Sequence, residues 1–555
     1  MTDVLKSLPF EFIVSNPGDK FRAMHESLTG PYGGNTPEWL TCLHEDTSVG
    51  MAHGYAKMEG KPLCVFAHGT VGLQHAAMAV YNAYCDRVPV YIVLGNSADI
   101  SDNHTAQDVV AMARDFIRWD DAPISLRRFA ESAVRAYKIS MTPPRMPVVL
   151  VSAPELQEAP MPAGPEPMIP KLTLAQPPQG DSGSLREAAR LLVAAEHPVI
   201  VVDKYSQTQA GVERLVALAE LLQAPVVDQA SRMNFPTRHP LHHSFVKPDP
   251  LMEADVILGL EVASLYRAVS IVRQKQGLKV ISISAEALLT KGNYQDTGRF
   301  QAVDLDIAAD AEASLPALIE EVQRLVTADR RAFFGARGAR LAAAAQRTFE
   351  LARQDATYAW DASPVSTGRL NAELWEAVKN EDWSFVSYIM HFSWWPLRTW
   401  PMEKRYHFNG GSGGNGMGYN APAALGAALA NRKHGRFTVN VQGDGDLMYA
   451  PGVLWTAAHH RIPILNVVHN NRGYHQELMH LQRIACRNNR GVDQVGIGAT
   501  FDNPDIDYAK MAQSMGVYAE GPITNPKDVG PALKRAVAVV KRGEPALVDV
   551  VSQPR

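Results

Sequence analysis

The chain has little cysteine, little net charge and no long hydrophobic run. Its 555 residues include four cysteines, Cys42, Cys64, Cys85 and Cys486, and none of them belongs to a Cys-x-x-Cys pair. Neither a structural zinc site nor a disulfide framework is therefore indicated, and a reducing compartment is expected. The formal net charge of −4 is small for this length, which argues against a nucleic-acid or anionic-membrane partner.

The start of the chain, MTDVLKSLPFEFIVSNPGDK, lacks the order of basic, apolar and small residues that marks a signal peptide. No stretch of about 18 apolar residues occurs that could cross a membrane. We therefore expect an unexported, cytoplasmic protein. No Gly-x-Gly-x-x-Gly pattern follows an early strand, so a nicotinamide-dependent oxidoreductase is disfavoured.

Alternating helix and strand patterns divide the chain into three units, and the predicted fold class is α/β with three domains of parallel sheet flanked by helices. The first domain is predicted over residues 1–155. A proline-rich stretch without periodicity, 156–184, has the composition of an extended linker. The central domain covers 185–328, and an Ala/Arg-rich helical linker, 329–365, leads to the third domain, 366–555.

A weak internal repeat relates the first and third domains. Each copy reads as a small-residue helix, a strand, a tight turn, a second helix and a second strand. The turns are His68-Gly69-Thr70 and Gly443-Asp444-Gly445, and the spacing from the turn to the second strand is the same in both copies. Four elements in one order predict two related parallel-sheet domains, one on each side of the central domain.

The carboxylate of Asp444 stands between two glycines directly after the strand predicted over 437–441. The carboxyl end of a parallel strand is where α/β sheets bind ligands. Asn471, the second residue of an Asn-Asn pair, follows the next strand, so both side chains are expected at one edge of the sheet. A carboxylate and an amide oxygen suit Mg²⁺, which takes its other ligands from phosphates and water. An ordinary Asp-Gly turn is the alternative.

This combination of Gly443-Asp444-Gly445 and the later Asn pair resembles the thiamine-diphosphate-binding motif. The chain is similar throughout to the acetolactate synthase, pyruvate decarboxylase, benzoylformate decarboxylase and benzaldehyde lyase branch of that family. The resemblance implies a pyrimidine-binding first domain and a diphosphate-binding third domain. It also implies that Asp444, Asn471 and the Gly473 carbonyl hold Mg²⁺, with Gly443 and Gly445 beside the cofactor.

Two further positions match residues that contact the cofactor in this family. Glu45, between an apolar strand and a small-residue helix, matches the glutamate that hydrogen-bonds the aminopyrimidine ring and promotes proton exchange at C2 of the thiazolium. A largely buried carboxyl group is expected there. The alternative is an ordinary acidic side chain in the first turn of a helix, where the helix dipole favours it. Met417 matches the apolar residue that holds the cofactor in its bent shape, with a core methionine as the alternative.

Four more residues match substrate-side positions of the decarboxylases. Asp19, His104 and Glu477 resemble the proton-transfer groups of the pyruvate decarboxylase type, and His68 stands where benzoylformate decarboxylase carries an active-site histidine. Each is a single-residue match, and solvated loop charges are the alternative. Asp203 follows a central-domain strand where a dinucleotide site needs glycines, so FAD binding and true acetolactate synthesis are not expected.

The resemblance implies an enzyme that uses thiamine diphosphate and Mg²⁺ to cleave or form a carbon–carbon bond beside a carbonyl. Non-oxidative decarboxylation of a 2-oxo acid is the expected reaction, and a 2-hydroxy ketone lyase or carboligase is the alternative. A cofactor-binding protein without catalysis is a third hypothesis, which the intact motif disfavours. The family pattern further implies a homodimer or homotetramer with active sites at the subunit interface.

Overall fold

Three separate parallel sheets form the framework of the molecule. The computed structural model describes residues 1–30, 34, 36–161, 168–288 and 299–554. Within these residues every pair of hydrogen-bonded strands is parallel, and helices alternate with the strands. The prediction of an α/β protein with three domains is confirmed. In the described part of the chain, no helix is both long and apolar enough to cross a membrane.

The first sheet has six strands in the order β2-β1-β3-β4-β6-β5. They are β1 (Phe12–Ser15), β2 (Glu38–Thr41), β3 (Cys64–His68), β4 (Tyr91–Gly95), β5 (Trp119–Asp121) and β6 (Val148–Ser152). The second sheet has the order β11-β10-β9-β7-β8. Its strands are β7 (Pro198–Val202), β8 (Val226–Asp228), β9 (Val256–Leu260), β10 (Lys279–Ser284) and β11 (Leu305–Ala308).

The third sheet repeats the strand order of the first. Its strands are β12 (Trp383–Val386), β13 (Phe437–Gly443), β14 (Leu465–Asn470), β15 (Tyr518–Ile523) and β16 (Ala546–Val551), in the order β12-β13-β14-β16-β15. The five strands of the third sheet repeat the order β1-β3-β4-β6-β5 of the first, and β2 is an additional edge strand of the first sheet. The sequence repeat therefore reflects two domains with the same topology.

Helices cover the faces of the sheets. They are α1 (Thr2–Ser7), α2 (Arg22–Thr29), α3 (Glu45–Glu59), α4 (Thr70–Cys85), α5 (Leu126–Met141), α6 (Pro154–Gln157), α7 (Ser182–Ala194), α8 (Gln209–Leu222), α9 (Leu265–Ala268), α10 (Ala311–Leu325), α11 (Ala328–Asp355), α12 (Thr367–Val378), α13 (Trp395–Thr399), α14 (Asn420–Arg432), α15 (Asp444–Leu447), α16 (Val453–His459), α17 (His475–Arg487), α18 (Tyr508–Ser514) and α19 (Pro526–Val540).

Local chemistry sets many of the helix starts. At several of them a side-chain oxygen accepts a hydrogen bond from a backbone N–H of the first turn, which satisfies a donor that the helix leaves free. The capping residues are Ser125, Asp181, Thr208, Asp310, Thr327, Ser366, Asp507 and Asn525. Helices α3, α4 and α15 begin at strand ends without such a cap. The starts of α3 and α15 carry Glu45 and Asp444, two of the predicted site residues.

Two local predictions need correction. A single helix is predicted between Asp444 and the next strand, but α15 and α16 are separate helices, because Pro451 and Gly452 interrupt the chain between them. Helix α7 begins at Ser182, inside the predicted linker, where Asp181 caps it. Residues 162–167 of that linker lie outside the described residues, and the predicted domain boundaries stay a prediction.

The first and third domains share one hydrophobic core. Small residues let α3 and α14 approach until their backbones touch: a Cβ on Gly54 would lie 1.9 Å from the Ala423 carbonyl oxygen, and one on Gly426 would lie 1.9 Å from the Met51 carbonyl oxygen. Only glycine allows such an approach. The buried cluster around these helices contains side chains from both sheets, including Val65 of the first sheet. The small-residue patterns in the sequence thus mark a helix–helix contact.

Buried charges join the central domain to the first. Arg87, before β4, donates to Glu261 at the end of β9, with 2.7 Å between Nη1 and Oε2. Glu261 also accepts the backbone N–H groups of Ala285 and Ala311, at 3.1 and 3.0 Å. Asp203, at the end of β7, accepts the N–H of Ala263 at 3.0 Å. The ends of β7 and β9 therefore carry carboxylates of the chain itself, which do not favour the diphosphate of FAD, and the prediction that FAD does not bind stays a prediction.

Candidate active site

Asp444 occupies the junction between a buried strand and a short helix. Strand β13 ends at Gly443, and α15 begins at Asp444, which is only 2% exposed to solvent. Its Oδ1 accepts the N–H of Gly445 at 2.9 Å, and its Oδ2 accepts the N–H of Arg472 at 2.6 Å. Burial raises the pKa of Asp444 to about 6, while hydrogen bonds from Gly445, Arg472 and Gly473 act in the opposite direction.

The segment after β14 reaches the same place. Strands β13 and β14 are parallel neighbours, so Asn471 follows the strand beside Asp444. The Asn471 Oδ1 atom is shielded from solvent and has no hydrogen-bond partner within the described residues. A buried acceptor without a donor costs free energy. A carboxylate and an amide oxygen in this state fit a hard cation such as Mg²⁺. The predicted ligands Asp444, Asn471 and Gly473 lie on adjoining segments, and their role as metal ligands stays a prediction.

The glycines of the motif differ in their surroundings. A Cβ on Gly443 would meet no atom closer than 4.0 Å, so the space above this residue is open. A Cβ on Gly445 would lie 2.5 Å from a ring carbon of Tyr474, so packing requires glycine there. The Gly445 N–H is already engaged by Asp444, which leaves Gly443 as the glycine where a ligand can approach the backbone.

Met417 lies on a loop that Asp446 ties to this site. The Met417 residue is 41% exposed, which excludes the alternative of a core methionine. Its neighbour Gly418 has φ of +86°, a conformation that favours glycine, and donates its N–H to Asp446 Oδ1 at 2.6 Å. The other Asp446 oxygen accepts the Asn420 side-chain amide at 2.8 Å. Asp446 is not among the residues predicted from the sequence, although it is the second carboxylate of Gly-Asp-Gly-Asp and could have been found from that motif.

Glu45 begins α3 and is almost completely buried, as expected. The residue is 3% exposed, and its Oε2 lies 3.1 Å from Nδ1 of His75 on α4. A Cβ on Gly72 would lie 2.9 Å from the other carboxylate oxygen, so glycine makes room for the acid. The His44 ring stacks on the His75 ring with centroids 4.5 Å apart. Sequence reasoning missed both histidines, since neither periodicity nor a motif distinguishes them.

Three of the predicted substrate-side residues lie together at the carboxyl edge of the first sheet. His68 Nε2 lies 2.7 Å from Asp19 Oδ1, and this hydrogen bond lowers the pKa of Asp19. The His104 ring is edge-on to the His68 ring at 5.6 Å between centroids. His104 has φ of 57°, on a loop where the Thr70 N–H donates to the His104 carbonyl at 3.3 Å.

Glu477 is separate from these three residues. It lies in the first turn of α17, in the third domain, and is exposed. Within the described residues, no hydrogen bond or ion pair joins it to another side chain. The predicted group of four is thus one cluster of three and one isolated carboxylate.

Comparison with known proteins adds to this geometry. The family model described as "Thiamine pyrophosphate enzyme, N-terminal TPP binding domain" matches residues 1–114. The corresponding C-terminal TPP binding domain matches residues 391–550. A buried carboxylate, a nearby unpaired amide oxygen and an open glycine are what a metal-bound diphosphate needs. The two matches therefore define a class of enzymes with an N-terminal and a C-terminal thiamine-diphosphate-binding domain.

The chain belongs to the thiamine pyrophosphate enzyme family. It is 25% identical to benzoylformate decarboxylase from Pseudomonas aeruginosa over 564 residues, covering 99% of this chain and 98% of that one. It is 24% identical to glyoxylate carboligase from Escherichia coli O157:H7, covering 92% and 86%. The fold is similar to thiamine diphosphate-dependent 4-hydroxybenzoylformate decarboxylase of Rhodococcus jostii RHA1, with a TM-score of 0.78, 19% identity and coverage of 100% and 98%.

These findings confirm the family predicted from the motif. Both thiamine-diphosphate-binding domains are present in the chain, and the family contains decarboxylases and carboligases.

Proposed function

We propose that the protein uses thiamine diphosphate and Mg²⁺ to decarboxylate a 2-oxo acid without oxidation. The observation that carries the proposal is the buried Asp444 carboxylate at the end of β13 together with the Asn471 oxygen after β14, which has no hydrogen-bond partner among the described residues, because such oxygen ligands suit a cation. When bound, the cofactor supplies the carbanion chemistry at the carbonyl carbon, and the protein supplies position and electrostatics.

In this proposal the third domain holds the diphosphate end. Asp444, Asn471 and the Gly473 carbonyl would hold Mg²⁺, and the open space at Gly443 would leave room for the diphosphate. Met417 supports the cofactor from the loop that Asp446 secures, which is consistent with its exposure. Gly445 contributes by making room for Tyr474 rather than by contact with a ligand.

Glu45 would hydrogen-bond the pyrimidine ring of the bound cofactor and would be the group for proton exchange there. Its burial supports this role, because a carboxyl group withdrawn from water exchanges protons with a bound base more effectively than a solvated one. The carboxylate is held between Gly72 and His75, so its direction is defined before any ligand binds.

Asp19, His68 and His104 are proposed to carry protons on the substrate side. The contact between Asp19 and His68 keeps the aspartate ionised and orients the imidazole. Glu477 is a further candidate, since α17 follows the proposed metal ligands directly. The similarity to benzoylformate decarboxylase over nearly the whole chain favours a 2-oxo acid as the substrate.

A lyase or carboligase acting on 2-hydroxy ketones is the second candidate. The similarity to glyoxylate carboligase favours it. A cofactor-binding protein without catalysis is disfavoured, since Glu45, Met417, Asp444 and Asn471 are all present. We further propose a cytoplasmic homo-oligomer, dimer or tetramer, in which two subunits form each active site, with small molecules and neither nucleic acid nor membrane as partners.

The test is to load the purified chain with thiamine diphosphate and Mg²⁺, offer mixed aliphatic and aromatic 2-oxo acids and 2-hydroxy ketones, and measure CO₂ and aldehydes together. Release of both products from a 2-oxo acid is expected. Aldehyde from a hydroxy ketone without CO₂ would identify a lyase. The proton-transfer roles proposed for Asp19, His68 and His104 would then be rejected. Bound cofactor with no product from any substrate would support the non-catalytic hypothesis. The Asp444→Asn variant is the control for cofactor-independent chemistry.

A further inference from the structure

Three potential metal ligands converge at the start of α3. His44, Glu45 and His75 each offer one nitrogen or oxygen ligand atom, and these atoms all lie within 4.8 Å of one another. Two histidines and a carboxylate are a donor set typical of zinc and related transition metals. The fourth position of such a site is open to water or another ligand.

We propose that, in the absence of thiamine diphosphate, the chain binds one transition-metal ion of the Zn²⁺ class through His44, Glu45 and His75. This site differs from the proposed Mg²⁺ site in position, in donor chemistry and in the domain that carries it. Imidazole nitrogens favour Zn²⁺ over Mg²⁺, whereas the oxygen ligands of Asp444 and Asn471 favour Mg²⁺.

The geometry requires only a small adjustment. Ligand atoms that share a zinc ion at about 2 Å each are separated by about 3 to 4 Å, and the ligand atoms of His44, Glu45 and His75 lie within 4.8 Å of one another. The His44 and His75 side chains are 44% and 52% exposed, so they can turn toward the ion, whereas Glu45 is 4% exposed and held in place. The ion replaces the hydrogen between His75 Nδ1 and Glu45 Oε2, and the neutral imidazole then carries its proton on Nε2.

The consequence for activity rests on the proposed function of Glu45. A carboxylate that coordinates a metal cannot also exchange a proton with the pyrimidine ring. The transition metal and thiamine diphosphate would therefore exclude each other, and the ion would act as an inhibitor of the cofactor-free protein.

The experiment uses the full-length protein freed of metal and cofactor with a chelator. Co²⁺ is titrated and the visible absorption of the bound ion is recorded, and Zn²⁺ is then added to displace it. We expect one Co²⁺ per chain. His44→Gln and His75→Gln should each weaken binding by at least about tenfold, since even the loss of an outer partner of a metal ligand has an effect of that size. His434→Gln removes another exposed histidine and should bind Co²⁺ normally.

The metal proposal would be overturned if Co²⁺ still bound normally to both the His44→Gln and the His75→Gln variants. It would also be overturned if the chain bound thiamine diphosphate but no Co²⁺. Neither result would affect the proposed function. Circular dichroism and thermal unfolding identify any variant that fails to fold, and for such a variant His→Asn replaces His→Gln. Thiamine diphosphate with Mg²⁺ should release the bound Co²⁺. Retention of Co²⁺ while the cofactor binds would leave the metal site standing and overturn the proposed role of Glu45.

Discussion

Buried carboxylates in this molecule are held by quite different partners. Asp444 accepts backbone N–H groups at the end of β13, and the Asn471 Oδ1 atom after the neighbouring strand has no hydrogen-bond partner in the described residues, which suits a cation at these strand ends. Asp446 accepts hydrogen bonds from Gly418 and Asn420 and so holds the loop of Met417 in place. Glu45 has one imidazole partner and a glycine beside it. Burial alone does not distinguish these residues, whereas the partners do.

We expect Glu45→Gln to lower turnover by about 100-fold or more, because general acid–base contributions are of this size, while cofactor affinity changes by less than about tenfold. Glutamine keeps the shape of the side chain and loses the exchangeable carboxyl proton. Steady-state kinetics and calorimetric titration with thiamine diphosphate measure the two quantities. Glu59→Gln, at the other end of α3, is the control, and normal turnover in Glu45→Gln would contradict the role given to Glu45.

We expect Asp444→Asn to abolish the Mg²⁺ dependence of thiamine diphosphate binding. The amide removes the negative charge that a divalent cation needs, and the affinity should fall by more than about tenfold. Calorimetry with and without Mg²⁺ measures this change. Asp528→Asn alters an exposed carboxylate in the first turn of α19 and should leave both titrations unchanged. Equal Mg²⁺ dependence in Asp444→Asn and the wild type would rule out Asp444 as a ligand.

At the scale of elements, the contact between α3 and α14 connects the two related domains. Helix α3 carries Glu45 at its start, and α14 follows the loop of Met417. Their close approach depends on glycines whose hydrogens face the partner backbone. The relative position of the two cofactor-binding domains within one chain therefore depends on residues that have no side-chain chemistry of their own.

Gly54→Ala should lower the free energy of unfolding by about 1 to 3 kcal/mol or more, because its Cβ would lie 1.9 Å from the Ala423 carbonyl oxygen. Gly335→Ala is the control, since no atom lies within 4 Å of its Cβ position on α11, and it should be neutral or stabilising by about 0.5 to 1 kcal/mol. Urea unfolding of both variants makes the comparison. Equal stability of the two would show that α3 and α14 do not pack as described.

A histidine contact between the same domains should respond to acid. The Thr41 N–H donates to His460 Nε2 at 2.8 Å, and burial, followed by the charge of His459, lowers the pKa of His460 to about 4 from 6.5. The folded protein binds this proton less readily than the unfolded chain does. The contact therefore contributes its full stabilising free energy above pH 6.5, and this contribution is lost as the pH falls toward 4.

We therefore expect His460→Gln to reduce the loss of stability between pH 6.5 and 4, since glutamine can accept the hydrogen bond without titrating. Unfolding free energies measured across this range in both proteins give the difference. The variant His434→Gln should follow the wild type. A pH profile for His460→Gln that is identical to that of the wild type would contradict the assignment.

At the scale of the whole molecule, a shared apolar core joins the first and third domains, and buried charges join the central domain to the first. Asp86 contacts His53 at 2.8 Å and Arg232 of the central domain at 3.4 Å. Burial acts to raise the pKa of Asp86, but the charge of Lys57, the hydrogen bond from His53 and the charge of Arg232 together lower it. Lys57 adds a bond to the Gly411 carbonyl of the third domain at 2.9 Å. One buried cluster thus contacts all three domains.

We expect a dimer or tetramer at assay concentrations, because the family pattern places each active site between two subunits. Sedimentation velocity and activity, measured on the same dilution series, test this expectation. Activity should fall as the oligomer dissociates. A monomer with full activity at equal concentration would contradict the interface prediction.

The sequence by itself determined the class of fold, the repeat and the identity of the family. These follow from local signals: strand and helix periodicity, the glycines around Asp444, and Asn471 at the end of the next strand. In parallel sheets consecutive strands and crossovers obey strict rules, so the sequence alone predicts that Asp444 and Asn471 lie at neighbouring strand ends.

Only the tertiary structure decided which distant side chains meet. The pairing of His68 with Asp19, of His75 with Glu45, and of Asp446 with the Met417 loop depends on how separate elements pack. Glu477 is predicted from a similar single-residue match, and it lies apart from Asp19, His68 and His104. Periodicity and motifs describe neighbours along the chain, whereas these contacts are set by packing between elements, which depends on all the side chains at the contact together.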